Sequence, residues 1–307
     1  MQQASYSIVV PVYNSAKTLE GLCARLVQTF ISNGISFEII LVNDNSTDNS
    51  WDVIKRIKSN SSDNITAVNL SQNFGQHKAL LCGFQQTTGD YVVTIDDDLQ
   101  YFPEDIQQLI EEQKKSNADV VYGIYENKKH AAWRNAGSTI IAKLFRHFAS
   151  MPVKGSSFKL ISKEIINQIK NYNQPFVFLD EIIAWHSSNT SFTSIRHEER
   201  KEGTSGYTLF KLTKYSFQII VSYTTLPLRI ITWFGLLAFL VCLGFVIYFV
   251  YMKYTYGAEL GFTTLIVSIF MSTGLILFSI GIIGEYISRL FMIQTQKPLF
   301  IIKEILK

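Results

Sequence analysis

The sequence lacks the features that would assign it a class quickly. Its three cysteines, Cys23, Cys82 and Cys242, show no paired spacing and no C-x-x-C. That excludes a disulfide framework or a zinc site built on cysteine pairs, and the thiols read as buried and reduced. The five histidines show no metal-ligand spacing, so His77 and His186 read as packing or surface residues. An excess of charge of one sign is also lacking. The formal charge of +3 does not by itself argue for or against nucleic acid, and no such partner is expected. No repeat or low-complexity segment appears. The first residues, MQQASYSIVVPVYN, have no basic region followed by a long apolar one. No cleavable signal is therefore expected, and residues 1–206 are expected to stay in the cytoplasm.

Apolar residues make up 47% of the 307, and they crowd into the C-terminal third. Before that third, apolar β-rich runs alternate with amphipathic ones. Strands are expected at 6–12, 37–42, 65–70, 91–96 and 119–125. Helices are expected at 19–33, 50–57, 78–86 and 103–115. Such alternation indicates βαβ units around a mostly parallel sheet buried on both faces.

The organising stretch is YVVTIDDDLQYFPE, 91–104. A buried strand runs into three adjacent carboxylates, which are costly without a neutralising cation or proton. Alternation along an extended chain sends Asp96 and Asp98 to one side and Asp97 to the other. With Gln100 as a neutral oxygen donor, Asp96 and Asp98 suit a hard divalent ion, Mg²⁺ or Mn²⁺, shared with phosphates. A solvated acidic turn before the helix at Pro103 is the alternative. The position at a strand's carboxyl end in an α/β pattern favours the metal–phosphate site.

From Gly203 the character changes. Residues 207–226 mix apolar, aromatic and basic groups, including Lys211 and Lys214, and suit a membrane interface. Ile230 to Met252 and Leu260 to Gly284 carry no charge, and each is longer than the ~20 residues needed to cross a bilayer core. The basic residues flank the pair and are nearly absent from its connection, which places both ends in the cytoplasm. The expected layout is 1–206 globular, 207–226 juxtamembrane, 227–291 two spans and 292–307 a cytoplasmic tail.

In order, VVPVYN (9–14), VNDNSTD (42–48), NFGQHKA (73–79) and DDDLQYFPE (96–104) resemble the signature series of the family 2 glycosyltransferases of GT-A fold. With GIIGEYISRLF (281–291) and KPLFII (297–302) after the hairpin, the chain is similar to the polyprenyl-phosphate glycosyltransferases. These include bactoprenol glucosyltransferases and, more distantly, dolichol-phosphate mannose synthases. The resemblance implies a multi-pass protein of the cytoplasmic (inner) membrane. It would transfer one sugar, with inversion, from a nucleotide-sugar donor (UDP- or dTDP-linked) to undecaprenyl or a similar polyprenyl phosphate, feeding cell-surface glycan modification.

The resemblance also assigns roles. Pro11, Tyr13 and Asn14 close the first strand at the nucleotide crevice, and Asp44 accepts a hydrogen bond from the base imide, unless it only makes an Asx turn. Asn73 and Gly75 shape a loop near the nucleotide, and Gly75 and Gly83 would permit close backbone approach. Asp96 faces the ribose or sugar, Asp97 belongs to the same donor site, and Asp98 with Gln100 holds the metal on the diphosphate. An acceptor phosphate, with a second pKa near ~6, is already an oxyanion nucleophile. Positioning cations then matter more than a base. Arg134, Lys159 and Arg200 are the candidates, each with a surface salt bridge as the alternative. Asp180 and Glu181 resemble an acidic pair that supplies a base in many family 2 enzymes; a favourable helix N-terminus explains them equally well.

The chain departs from the family pattern in four places. Ser157 and Lys159 stand where TGDFRL has aspartate and arginine, which argues against plain glucose bound in the usual way. Ser15 stands where glutamate is common, and Gly206 where R-x-x-G-x-S-K-Y has lysine. Among rivals, a processive polysaccharide synthase would need more spans and a Q-x-x-R-W motif. A transporter would need polar groups in its spans. A non-catalytic nucleotide-sugar-binding scaffold, permitted by the loss of the TGDFRL aspartate, has no use for DDDLQ. The oligomeric state is left open.

Overall fold

The computed structural model describes residues 4–60, 64–125, 156–196, 226–256 and 261–307. The chain divides into two compact units, 1–205 with 296–307, and 206–295.

In the first unit an eight-stranded sheet has the order β7-β5-β6-β4-β1-β2-β3-β8. Its strands are β1 (Tyr6–Val12), β2 (Phe37–Asn43), β3 (Ile65–Leu70), β4 (Tyr91–Thr94), β5 (Val120–Ile124), β6 (Lys159–Ser162), β7 (Thr190–Ser194) and β8 (Ile302–Leu306). The central strands β3, β2, β1 and β4 are parallel, as the alternating pattern predicts. Period-two alternation then decides which side chain goes where. Ile8, Val10, Ile39 and Leu41 enter one apolar layer, and Val9, Ile40 and Val42 the other.

The first layer is covered by α1 (Leu19–Ser32), α2 (Ser50–Asn60) and α4 (Ile106–Ser116). The second is covered by α3 (Gln76–Phe84), α5 (Lys163–Ile169) and α6 (Leu179–His186). Gly83 belongs to this packing, away from any ligand loop. A Cβ there would lie 2.3 Å from Val9 Cγ1, so the glycine lets α3 approach the sheet. The close approach expected of Gly83 is thus one of helix to sheet. Cys23 and Cys82 are free and buried, as expected, and burial pushes both thiols up to about 12.

Two strand placements position the site. β6 inserts antiparallel between β4 and β5, with Thr94 opposite Lys159. The start of β6 therefore sits beside the end of β4, and Ser157 reaches Asp96. β8, to which the sequence reading assigned no element, pairs antiparallel with β3 at the sheet edge. Leu299 is buried just before it, and the Ser71 N–H donates to the Ile301 carbonyl at 2.9 Å.

The second unit contains α7 (Leu226–Tyr256) and α8 (Phe262–Gln294), of 31 and 33 residues. At 1.5 Å per residue each is about 45–50 Å long, more than a bilayer core of about 30 Å. Apolar side chains face outward along both, among them Trp233, Leu237, Ile276 and Phe278. Among the described residues Ser272–Gln294 is long and apolar enough to cross a membrane, and Ile231–Phe245 is a shorter apolar stretch. The apolar stretch of α8 thus extends beyond Gly284, through an Arg289–Glu285 ion pair one turn apart at 3.0 Å. The proposed juxtamembrane segment 207–226 lies, but for Leu226, outside the described residues.

Candidate active site

The candidate residues gather where β1, β2 and β4 end and β6 begins. Pro11 lies buried within β1, opposite Val42. β4 pairs only as far as Val9, so at Pro11 one side of the strand no longer has a ladder to satisfy, and proline is tolerated. Tyr13 follows, half exposed at 47%. Asn14 adopts φ +56°, the left-handed conformation that asparagine tolerates. Its Oδ1 accepts from the Thr47 N–H at 2.8 Å, and its own N–H donates to Ser46 Oγ at 3.0 Å. Asn14 thereby ties the β1 turn to the β2 turn.

Asp44 is 3% exposed, and both carboxylate oxygens are taken by backbone. Oδ1 accepts from the Phe74 N–H at 2.7 Å and Oδ2 from the Gly75 N–H at 2.8 Å. Burial raises its pKa, and these two bonds offset part of that rise. Asp44 thus ties the 73–75 loop over a long range of chain, where its alternative was a local Asx turn. Gly75 accommodates that loop at φ +90°, where an L side chain is strained, and Asn73 is exposed on it.

The three aspartates separate. β4 stops at Thr94, so Asp96 lies beyond it and Asp97 and Asp98 lie in a turn, and Leu99 sits at φ +60°, strained for a bulky residue. Asp97 turns toward β1, where Oδ2 accepts from the Tyr13 N–H at 2.9 Å and its carbonyl accepts from Thr18 Oγ1 at 2.6 Å. Asp96 turns the other way and accepts from Gln76 Nε2 at 2.6 Å and from Ser157 Oγ at 2.5 Å. Asp98 Oδ1 accepts the Gln100 N–H at 3.1 Å. Burial first, then the neighbouring Asp98 and Asp97 charges, push Asp96 up to about 6 against the Ser157 hydrogen bond.

That crowding of carboxylates fits a cation. Among the described residues no group of three or more His, Cys, Asp or Glu has metal-binding geometry. The fit is therefore to a site of few protein carboxylates, such as Asp98 and Asp96, with Gln100 as the expected neutral oxygen donor and phosphate oxygens and water completing it. The observed contribution of Gln100 is its backbone N–H.

Lys159 and Asp180 come together in space. Read separately as a phosphate-binding cation and a base, they form one ion pair, with Lys159 Nζ donating to Asp180 Oδ1. The lysine side chain is 4% exposed and the aspartate 17%. Lys159 Nζ also lies 5.3 Å from the centre of the Tyr122 ring. The pair matches the salt bridge given as the alternative for Lys159, and Asp180 stands in the first turn of α6, the alternative given for the acidic pair. β6 and α6 bring the pair together across 20 intervening residues, which no spacing rule foretells. Glu181 is buried beside it and accepts from Trp185 Nε1 at 3.1 Å.

Arg134 and Arg200 lie outside the described residues. The contributions of Gln76, Ser157, Asp105, Arg196 and Arg25 were not anticipated. Gln76 and Ser157 hold Asp96. Asp105, 1% exposed, accepts from Arg196 Nε at 2.9 Å and from the Arg196 N–H at 2.9 Å, fixing the chain four residues before Arg200. Arg196 and Arg25 lie 4.8 and 5.2 Å from the centre of the Phe102 ring, and Arg25 pairs with Glu104 at 2.6 Å. The only sequence signal for Asp105 was its place next to PE at a helix start.

With this geometry in view, the comparisons are specific. Residues 7–176 match the family described as glycosyl transferase family 2, and residues 226–290 match the GtrB C-terminal hairpin. An undecaprenyl-phosphate 4-deoxy-4-formamido-L-arabinose transferase of Edwardsiella ictaluri is 30% identical over 98% of this chain and 94% of its own length. The protein of that description from Pectobacterium carotovorum subsp. carotovorum is 31% identical over 97% and 92%. Two solved structures share the fold. Glucosyl-3-phosphoglycerate synthase of Mycobacterium tuberculosis, in complex with Mn²⁺, UDP and phosphoglyceric acid, has a TM-score of 0.53 at 18% identity, covering 71% of this chain and 76% of that one. A mannosyltransferase of Pyrobaculum calidifontis, in complex with GDP-mannose and Mn²⁺, has a TM-score of 0.51 at 15% identity, covering 75% and 65%.

Proposed function

This chain belongs to glycosyl transferase family 2, and from that premise we propose that it moves a single sugar from a nucleoside diphosphate donor onto a polyprenyl phosphate. The observation that carries the reading is the near full-length similarity to undecaprenyl-phosphate sugar transferases, hairpin included. The carboxylate turn after β4 supports it from the chemical side.

In this reading the donor lies along the carboxyl ends of β2, β1 and β4, as ligands do in open α/β sheets. The 73–75 loop held by Asp44, and the turns joined by Asn14, shape the nucleoside side. Asp98 and Asp96 would hold Mg²⁺ or Mn²⁺ on the diphosphate, where a divalent ion neutralises charge gathering on the leaving group. The acceptor phosphate supplies its own oxyanion, which attacks the anomeric carbon from the face opposite the leaving diphosphate and inverts it. With Lys159 committed to Asp180, Arg200 and Arg134 are the cations that would place the acceptor.

A hydroxyl acceptor would need a general base. Asp180 is the candidate, and its engagement with Lys159 counts against that second reading. Chain connectivity supports a multi-pass topology with both ends on one side. The strand after the hairpin, β8, belongs to the same sheet as β1, so the intervening chain crosses an even number of times. We assign that side to the cytoplasm, where nucleotide sugars are made.

The test is transfer by the purified full chain, in detergent, from a panel of UDP- and dTDP-sugars to undecaprenyl phosphate, read by mass spectrometry. A glycosyl-phosphoryl lipid is expected. Transfer to sugar hydroxyls but never to the lipid phosphate would overturn the reading.

A further inference from the structure

After the hairpin the chain returns to the first unit, and its last residues lie against the loop that follows β3. β8 pairs with β3 in antiparallel register, from Leu306 opposite Ala67 to Ile302 opposite Leu70. The register shifts between Asn69 and Leu70, which leaves Lys303 without an opposite residue. Such irregularities recur at sheet edges and beside functional sites. Covering the edge of β3 needs no more than this ladder. The segment nevertheless extends past it. The Ser71 N–H donates to the Ile301 carbonyl at 2.9 Å, outside the ladder. Leu299, 8% exposed, enters the apolar layer covered by α3, and Phe74 and Phe300 pack against that layer.

Residues 71–75 are thereby held from two sides. Asp44 takes the Phe74 and Gly75 N–H groups from the β2 side. The segment after the hairpin takes the Ser71 N–H from the sheet edge. Between these ties Gln72 and Asn73 are exposed, and Gly75 is held at φ +90°. A short loop whose backbone donors meet fixed acceptors has few conformations left to it. We infer that residues 299–302 are a strap that sets the 71–75 loop for the nucleotide, with Leu299 as a positioning residue for donor binding. The inference rests on the transferase reading above, which puts the nucleoside beside that loop. Its consequence is that the donor site is complete only once the chain beyond the hairpin has docked on β3. A loop correctly placed in only about a tenth of molecules would weaken donor binding about 10-fold, with no contact to the ligand changed. Leu306 supplies the comparison. It stands opposite Ala67 and packs against the other apolar layer, away from the loop.

The experiment uses the full chain in detergent and reads two quantities, amide hydrogen exchange at 71–75 and calorimetric binding of UDP and dTDP. In Leu299→Ala, exchange at those amides should quicken about 10-fold and nucleotide affinity should fall about 10-fold. Leu299→Met, close to leucine in volume, should restore both. Leu306→Ala should lower the melting temperature yet leave loop exchange and nucleotide affinity within about twofold of wild type. Because Asp44 and Leu299 hold one loop, Asp44→Ala and Leu299→Ala together should weaken binding by less than the product of their separate effects. Should Leu299→Ala fail to fold, Leu299→Val makes the same comparison with a smaller cavity. Unchanged exchange and affinity in the folded Leu299 variant, or parallel losses in Leu306→Ala, would reduce the segment to cover for the sheet edge and overturn the strap. Quickened exchange with unchanged affinity would overturn it too, because such a loop does not position the nucleotide. A wild type that binds neither nucleotide would sink the transferase reading itself, and quickened exchange alone would then mark a purely structural tie.

Discussion

The two halves of the rim differ in where their polar atoms point. On the β1–β2 side the side chains are satisfied by the chain's own backbone. Asp44 holds the 73–75 loop, Asn14 joins two turns, and Asp97 anchors Tyr13. On the β4–β6 side, carboxylates crowd one another, Asp96 is pushed up to about 6, and His77 and Tyr122 keep buried atoms with no partner among the described residues. The first half is built before a ligand arrives. The second carries strain at Leu99, like-charge repulsion and unmet hydrogen bonds, which native folds tolerate mainly at functional sites. The lesson is that aspartates equally conspicuous in a sequence divide into those that shape a site and those that serve its chemistry.

Mutations can break this comparison. The largest effect is expected at Asp98. Asp98→Ala, or chelation of divalent metal, should lower turnover by about 10³-fold or more while thermal stability stays within a few degrees. An active Asp98→Ala enzyme in metal-free buffer would remove the metal from the site. Next comes Arg200→Ala, expected to lower kcat/KM for the lipid phosphate about 10- to 100-fold through loss of a charge-assisted contact. Unchanged acceptor kinetics would move that task to Arg134.

Asp44→Ala should behave in the opposite way to Asp98→Ala. It removes two charge-assisted bonds to backbone and should cost about 3 kcal/mol of stability. UDP affinity, measured by calorimetry, should weaken by about 10-fold as the 73–75 loop loosens. Equal melting temperatures for Asp44→Ala and Asp98→Ala would erase the distinction between the halves. Gly75→Ala asks the same loop for a backbone conformation an L residue rarely adopts, and should cost about 1–3 kcal/mol. The smallest effect is expected at Glu104→Gln. Its pair with Arg25 is partly exposed, so denaturant titration should register less than about 1 kcal/mol.

Sequence alone was enough for β1 to β5 and their helices, because apolar periodicity reports burial directly. It also sufficed for the hairpin, whose uncharged runs have no aqueous solution, and for the family, whose motifs keep their order. β6, β7 and β8 were not legible. Four- and five-residue strands such as KLIS, TSFTS and IKEIL carry too little pattern, and strand neighbours are not encoded by chain order. Ser157 was noted for what it replaces, yet its bond to Asp96 depends on β6 running antiparallel beside β4. Lys159 and Asp180 were each given a task of their own, and only the packing of α6 on the sheet made them one neutral pair. Local pattern determined which residues are buried and which chemistry is present. Tertiary structure decided which charges cancel, because cancellation depends on distances of a few ångströms between residues far apart in the chain.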